Sequence, residues 1–187
     1  LVNILTEHGC RQIHRTPTDI KMMVGGLPKK KINHPINYAT TWSIDGLINE
    51  YEDNCKILES GEVRTVKGME GHEIIQTENL GILEAFYTSG GMSHTLDSMN
   101  SKGVINCCYK TLRYAGHRDI VKFLIKNCKL SRSCLERVFG EGCRDSQNVG
   151  DYVILKVIVG ADEVTWDKEL LVVSDTKFSA MQKATAF

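Results

Sequence analysis

Residues 107–128 read CCYKTLRYAGHRDIVKFLIKNC and set Lys110, Thr111, Arg113, Tyr114 and His117 within eight positions. The stretch opens with strand-like alternation and closes as an amphipathic helix. In a strand, Ile105, Cys107, Tyr109, Thr111 and Arg113 share one side, and Val104, Asn106, Cys108, Lys110 and Leu112 the other. Each side begins apolar or small and gains hydrogen-bonding groups toward its end. The carboxyl end of a strand is where α/β-type domains commonly hold ligands. Arg113 can clamp a carboxylate through two parallel bonds, which a lysine cannot do. In the helix that follows, His117 shares a face with Val121, Leu124 and Cys128, so its ring turns coreward at the first turn. Two readings stay open for it. It is a packing residue bonded to a backbone group, or it lines a polar pocket with Arg113 and Lys110.

A second candidate is LGILEAFYTSGG, residues 80–91. A strand there sends Glu84, Phe86 and Thr88 to one side and Ala85 and Tyr87 to the other. Thr88, Ser89, Gly90 and Gly91 then lead toward a helix N-terminus. Free N–H groups and the helix dipole at such a place suit an anion such as a substrate carboxylate. The plainer alternative is an ordinary strand–turn–helix link, with glycine supplying a left-handed conformation. Glu84 sits among apolar neighbours and needs a cationic or hydrogen-bonding partner, for which Arg113 is the candidate. The acidic residues at 50, 52, 53, 59, 62, 70, 73 and 78 read as solvated surface.

Cysteine chemistry is the rival to these sites. Cys107, Cys108, His117, Cys128, Cys134 and Cys143 fall within 37 residues. No CxxC pair is present, and paired spacing is what zinc requires. Most of these cysteines occupy apolar positions, where the residue acts as a small hydrophobe. No metal is expected. The seven cysteines suit a reduced, cytoplasmic setting better than a disulfide framework. Lys plus Arg equals Asp plus Glu at 23 each, and the longest basic run is Lys29–Lys31. Nucleic acid, which needs concentrated positive charge, is not an expected partner. No apolar run reaches the length of a membrane span.

These residues need elements to position them. A strand is expected over Ile20–Val24, ended by a Gly25–Pro28 turn and a polar loop over 29–38. A helix follows over 41–53, capped by Ser43, with Ile44, Leu47, Ile48 and Tyr51 as its buried stripe. Residues 55–66 read as a hairpin turning at Ser60-Gly61, and 72–77 as a short strand. A helix over 92–99 precedes a strand over 103–114. Helices over 117–128 and 131–140 come next, the second stopped at Gly140. Residues 151–175 form two strands joined near Gly160-Ala161-Asp162. With 42% hydrophobic residues over 187 positions, the chain is one domain with a full core. The expected class is α+β: a mixed, largely antiparallel sheet with helices packed on one face. No GxGxxG or Walker-type loop occurs, so no Rossmann domain is expected in this chain.

Four segments occur in one order: VGGLP at 24–28, TTWSIDGLINEY at 40–51, LEAFYTSGG at 83–91 and YKTLRYAGH at 109–117. Together they resemble the C-terminal, non-Rossmann domain of the saccharopine dehydrogenase family. The resemblance covers residues 20–130 well and 150–187 more loosely. It implies a domain excised from a longer chain, joined there to an NAD- or NADP-binding Rossmann domain. It implies hydride exchange at the CH–NH group of a lysine-related amino acid, a homodimer, and inactivity of this domain alone. Carried onto matching positions, Gly26, Thr41, Trp42, Ser43, Thr88, Ser89, Gly90, Gly91 and Arg113 would face the substrate, with Glu84 beside them. Lys110, Tyr114 and His117 would transfer protons or orient the amine. The competing expectation is an oligomerisation scaffold using the Tyr152–Ser174 hairpin and helices 117–140.

Overall fold

The computed structural model describes residues 1–30, 32, 35–92, 95–143 and 150–186. Its strands are β1 (Asp19–Pro28), β2 (Asn54–Glu59), β3 (Glu62–Lys67), β4 (Glu73–Thr77), β5 (Gly81–Tyr87), β6 (Asn106–Tyr114), β7 (Asp151–Ala161) and β8 (Val164–Val173). Its helices are α1 (Val2–Gln12), α2 (Ile44–Glu52), α3 (Thr95–Ser101), α4 (His117–Lys122), α5 (Arg132–Gly140) and α6 (Ala180–Thr185). All eight strands form one open sheet. Its main path runs β3-β2-β6-β1-β7-β8, and β5 joins β6 while carrying β4. Among the described residues only β1 and β6 run parallel. This is the expected α+β class.

Strand alternation sorts the sheet into two faces. Ile20 and Met22 of β1, Cys107 of β6, and Val157 and Val159 of β7 pack under α1 and α3. Val153 and Leu155 pack under α6. Phe86 of β5 lies under α2, α4 and α5 with Leu47, Ile48, Tyr51, Val121, Leu135 and Phe139. All the helices therefore share one face. The opposite face buries Met23, Leu27, Leu83, Ala85, Leu112 and Ile154 without a helix. The sheet curls there until its β4 and β8 edges approach. Glu169 of β8 accepts hydrogen bonds from the Glu78 and Asn79 amides in the β4–β5 turn, both at 3.0 Å.

Several expected boundaries hold. Ser43 caps α2 by accepting from the Gly46 amide, and Ser131 caps α5 through Cys134. Ser60 and Gly61 both take positive φ and close the β2–β3 hairpin. The β7–β8 hairpin pairs from Tyr152↔Val173 to Ala161↔Val164.

The Gly25–Pro28 turn does not form. β1 continues through it and pairs with β7 as far as Pro28↔Asp151. The glycine answers a packing demand instead: a Cβ on Gly25 would stand 2.7 Å from the Leu112 carbonyl oxygen. The helix after His117 is α-helical only to Lys122 and widens to a π-helix over Phe123–Asn127. Helix α1 and helix α6 were not anticipated, because neither carries a strong apolar stripe of its own. They form where β7 offers them a surface. Within the expected 29–38 loop, Lys31, Asn33 and His34 lie outside the described residues. So do Ser93 and His94 of the expected 92–99 helix, which is observed from Thr95.

Candidate functional site

The helix face of β6 ends at Arg113, which is 3% exposed. Its guanidinium stands over the Tyr38 ring at 5.0 Å and near the Tyr51 ring at 5.9 Å. Nε donates to Tyr51 Oη at 3.0 Å, and Nη1 donates to the carbonyl of Leu112 at 2.9 Å. Among the described residues no carboxylate lies within ion-pair distance of it. Only one fully buried side-chain polar atom there lacks a hydrogen-bond partner, the Thr41 hydroxyl. Nη2 of Arg113 has no hydrogen-bond partner among the described residues.

His117 completes this arrangement from α4. Arg113 donates to Tyr51, so the Tyr51 hydroxyl proton goes to His117 Nε2, 2.9 Å away. His117 Nδ1 then carries the ring proton and donates to the Ile36 carbonyl at 3.0 Å. Burial, reinforced by the Arg113 charge, pushes the His117 pKa down to about 3. The ring is neutral and fully committed. Of the two readings held open, this geometry matches the packing residue bonded to a backbone group. The ring fixes Tyr51, and Tyr51 fixes Arg113.

The hydroxyls of Thr88 and Thr111 bond each other at 2.7 Å on the same face. Ser89 ties the loop after β5 to α2, its amide donating to the Glu50 carbonyl and its hydroxyl to the Asn49 carbonyl. Gly90 takes φ +97°, and a Cβ on Gly91 would overlap the Tyr109 ring. Thr88 to Met92, with Asn54, Cys55 and Lys56, line a cavity of about 230 Å³. Gly26 faces the Thr41 hydroxyl. Trp42 Nε1 donates to Tyr38 Oη at 3.0 Å and steadies the ring under Arg113. Ser43 is exposed and caps α2.

Two expected residues lie elsewhere, and a third is otherwise engaged. Lys110 points to the opposite face, where Nζ bonds Glu73 at 2.6 Å and the Gly71 carbonyl. Tyr114 also turns there and donates to the Pro28 carbonyl. The sheet separates both from Arg113, as strand alternation requires. Glu84 is on the helix face and pairs in register with Arg113. Its carboxylate nevertheless goes to the Gly116 and Arg118 amides and to His72, capping α4. The α4 donors answer its need for partners, and Arg113 is left without it. The cysteines are dispersed: Cys107 and Cys108 face opposite sides of β6, while Cys128 and Cys134 are exposed. Among the described residues no three metal-ligating side chains are grouped.

Sequence reasoning missed Tyr38, Tyr51, Tyr109 and Glu50 as parts of this site. Tyr51 stood in the stripe of α2, and a buried tyrosine there always demands a partner for its hydroxyl. Glu50, taken as solvated, is half-buried. Burial pushes its carboxyl up to about 7, against the pull of Arg113. The available signal was its spacing from Leu47 on the same helix.

A sequence model described as the saccharopine dehydrogenase C-terminal domain matches residues 1–186. The fold is similar to that of apo histidine-tagged saccharopine dehydrogenase (L-Glu forming) from Saccharomyces cerevisiae, with a TM-score of 0.63 at 15% identity. That match covers 92% of this chain and 57% of the yeast chain, so the present chain corresponds to little more than half of that protein.

Proposed function

Because this chain belongs to the saccharopine dehydrogenase C-terminal domain family, we propose that it binds substrate for an NAD(P)-dependent oxidoreductase. The reaction is at the CH–NH group of a lysine-related amino acid. Arg113 carries the reading. A guanidinium out of water costs several kcal/mol unless its donors and charge are answered. Here two tyrosine rings, a hydroxyl and a carbonyl answer part of that need. A free nitrogen and a full charge remain, and a substrate carboxylate supplies both acceptor and counter-charge.

The proposed division of labour leaves the dinucleotide to another domain. The described sheet is antiparallel except for the β1–β6 pair, and no GxGxxG pattern occurs in the sequence. In this reading a Rossmann domain of the parent chain holds NAD or NADP, and the isolated domain is inactive. Residues 1–187 serve as one substrate domain. No helix among the described residues is long and apolar enough to cross a membrane.

The test is Arg113→Lys in the full-length parent, with saccharopine as substrate and nicotinamide absorbance as the readout. A fall in kcat/KM of about 100-fold, mostly through KM, is expected from losing a planar two-pronged clamp. An unchanged kcat/KM sinks the proposal. The scaffold reading draws on β8, whose Val164 and Val173 are exposed. An unchanged rate together with an altered oligomer size in the same variant would favour it.

A further inference from the structure

One edge of β6 serves two strands. β5 pairs with it along Lys110–Tyr114, and β2 meets it at Leu58↔Cys107. The sheet therefore forks there. Residues 54–56 of β2 and 88–92 after β5 line the cavity of about 230 Å³ at this fork. The β2–β3 hairpin pairs Glu59 with Glu62 across the Ser60-Gly61 turn, and the Gly68 amide donates to the Asp53 carbonyl. Hydrogen-bonded pairs alternate along such a ladder. The backbone groups of Cys55 and Ile57 thus serve β3, and those of Asn54 and Lys56 face the fork. Leu58 packs on the helix face with Cys107, so Lys56, two residues earlier, projects to the same face as Arg113.

Among the described residues Lys56 carries the one formal charge on this lining. Its ammonium has neither an ion pair nor a hydrogen bond there. Gly90 and Gly91 add two backbone amides that also lack an acceptor among the described residues. Gly90 is left-handed at φ +97°, and a Cβ on it would meet nothing within 4 Å, so its backbone is open to close approach. The hydroxyls of the lining are already engaged, Thr88 with Thr111 and Ser89 with the Asn49 carbonyl. A cation and unspent N–H donors with no carboxylate beside them suit an anion. The volume is below the roughly 300 Å³ at which pockets for drug-sized ligands begin, so it holds one arm of a ligand. We propose that the fork is a second carboxylate subsite, with Lys56 as counter-charge and the Gly90 and Gly91 amides as hydrogen-bond donors. This rests on the assignment of Arg113 above and extends it to a second acidic arm of the substrate. Thr111 stands two residues before Arg113 on the same face of β6, so the Thr88–Thr111 hydroxyl pair links the two subsites. The fork selects amino acids that carry more than one carboxylate.

Steady-state kinetics of the full-length parent test this, with saccharopine and the dinucleotide varied in turn. Lys56→Met keeps the side-chain stem and removes the charge. It is expected to raise KM for saccharopine about 10-fold at unchanged kcat, the low end for a charge-assisted hydrogen bond. KM for the dinucleotide should not move. Lys56→Arg, which keeps the charge, should stay within about two-fold of wild type. If Lys56→Met leaves KM for saccharopine unchanged while Arg113→Lys lowers kcat/KM, the subsite is overturned and the role of Arg113 stands. If neither variant changes the kinetics, the underlying assignment fails with it. A rise in KM for the dinucleotide alone would assign the fork to a cofactor phosphate and overturn the carboxylate. An equal defect in Lys56→Arg would trace the loss to packing and overturn the proposal as well. Retained near-ultraviolet circular dichroism guards each variant against misfolding.

Discussion

Strand β6 carries two cations three residues apart, and they meet opposite fates. Lys110, 6% exposed, finds Glu73, the Gly71 carbonyl and the face of Tyr87. Arg113, 3% exposed, finds tyrosines, one carbonyl and no carboxylate. Both are buried, so burial does not distinguish a paired cation from an unpaired one. The distinction is whether the fold itself supplies the counter-charge. Lys110 lies on the face where the sheet curls and β4 brings Glu73 across. Arg113 lies on the face where Glu84, the carboxylate beside it in register, has been spent on the α4 N-terminus.

Breaking the satisfied side should cost stability and spare binding. Lys110→Met leaves Glu73 with Lys21 as its other cation, 2.8 Å away, and strips the Gly71 carbonyl of its donor. A loss of about 2 kcal/mol in urea unfolding is expected, the scale of a charged hydrogen bond. Affinity for carboxylate probes should match wild type. A binding defect as large as that of Arg113→Lys would erase the contrast between the two faces.

The next effect comes from the network behind Arg113. His117 has a folded pKa of about 3, below the ordinary 6.5 of an unfolded histidine. The unfolded chain therefore binds the extra proton first as pH falls. Stability is fully present above pH 6.5 and declines toward pH 3, with a limiting slope of about 1.4 kcal/mol per pH unit for this one group. His117→Gln should be less stable at pH 7 and should flatten this acid limb in urea titrations. An acid limb identical to that of wild type would show that His117 is not the group responsible.

The smallest expected effect has the opposite sign. The folded pKa of Glu50, about 7, lies above its ordinary value of 4.5. Its contribution to stability is present below pH 4.5 and lost as pH rises through 7. Its neighbours Tyr38, Tyr51, Tyr109 and Cys55 are all pushed upward by burial and stay neutral across this window. Glu50→Gln should therefore melt alongside wild type at pH 5 and a few degrees above it at pH 8. A constant gap at both pH values would mean that the carboxylate is not desolvated.

Much of this was legible in local spacing. A period of two put Lys110 and Arg113 on opposite faces of one strand. A period near 3.6 turned His117 and Tyr51 inward. Ser43, Ser131 and the Ser60-Gly61 turn marked boundaries that the chain obeys. All of these depend on dihedral preferences and on partners within a few residues. Partners distant in sequence were not legible. Glu84 was matched to its strand neighbour, yet the α4 amides 32 and 34 residues onward take its carboxylate. Glu50 and Glu73 were read as solvated, because sequence alone carries no measure of the water a side chain loses. The sequence by itself determined the class of the fold, the faces of its strands and the family it belongs to. The tertiary structure decided which charges are answered within the chain and which are not. Solvation and counter-ion distance, which set that outcome, exist only once distant segments have packed.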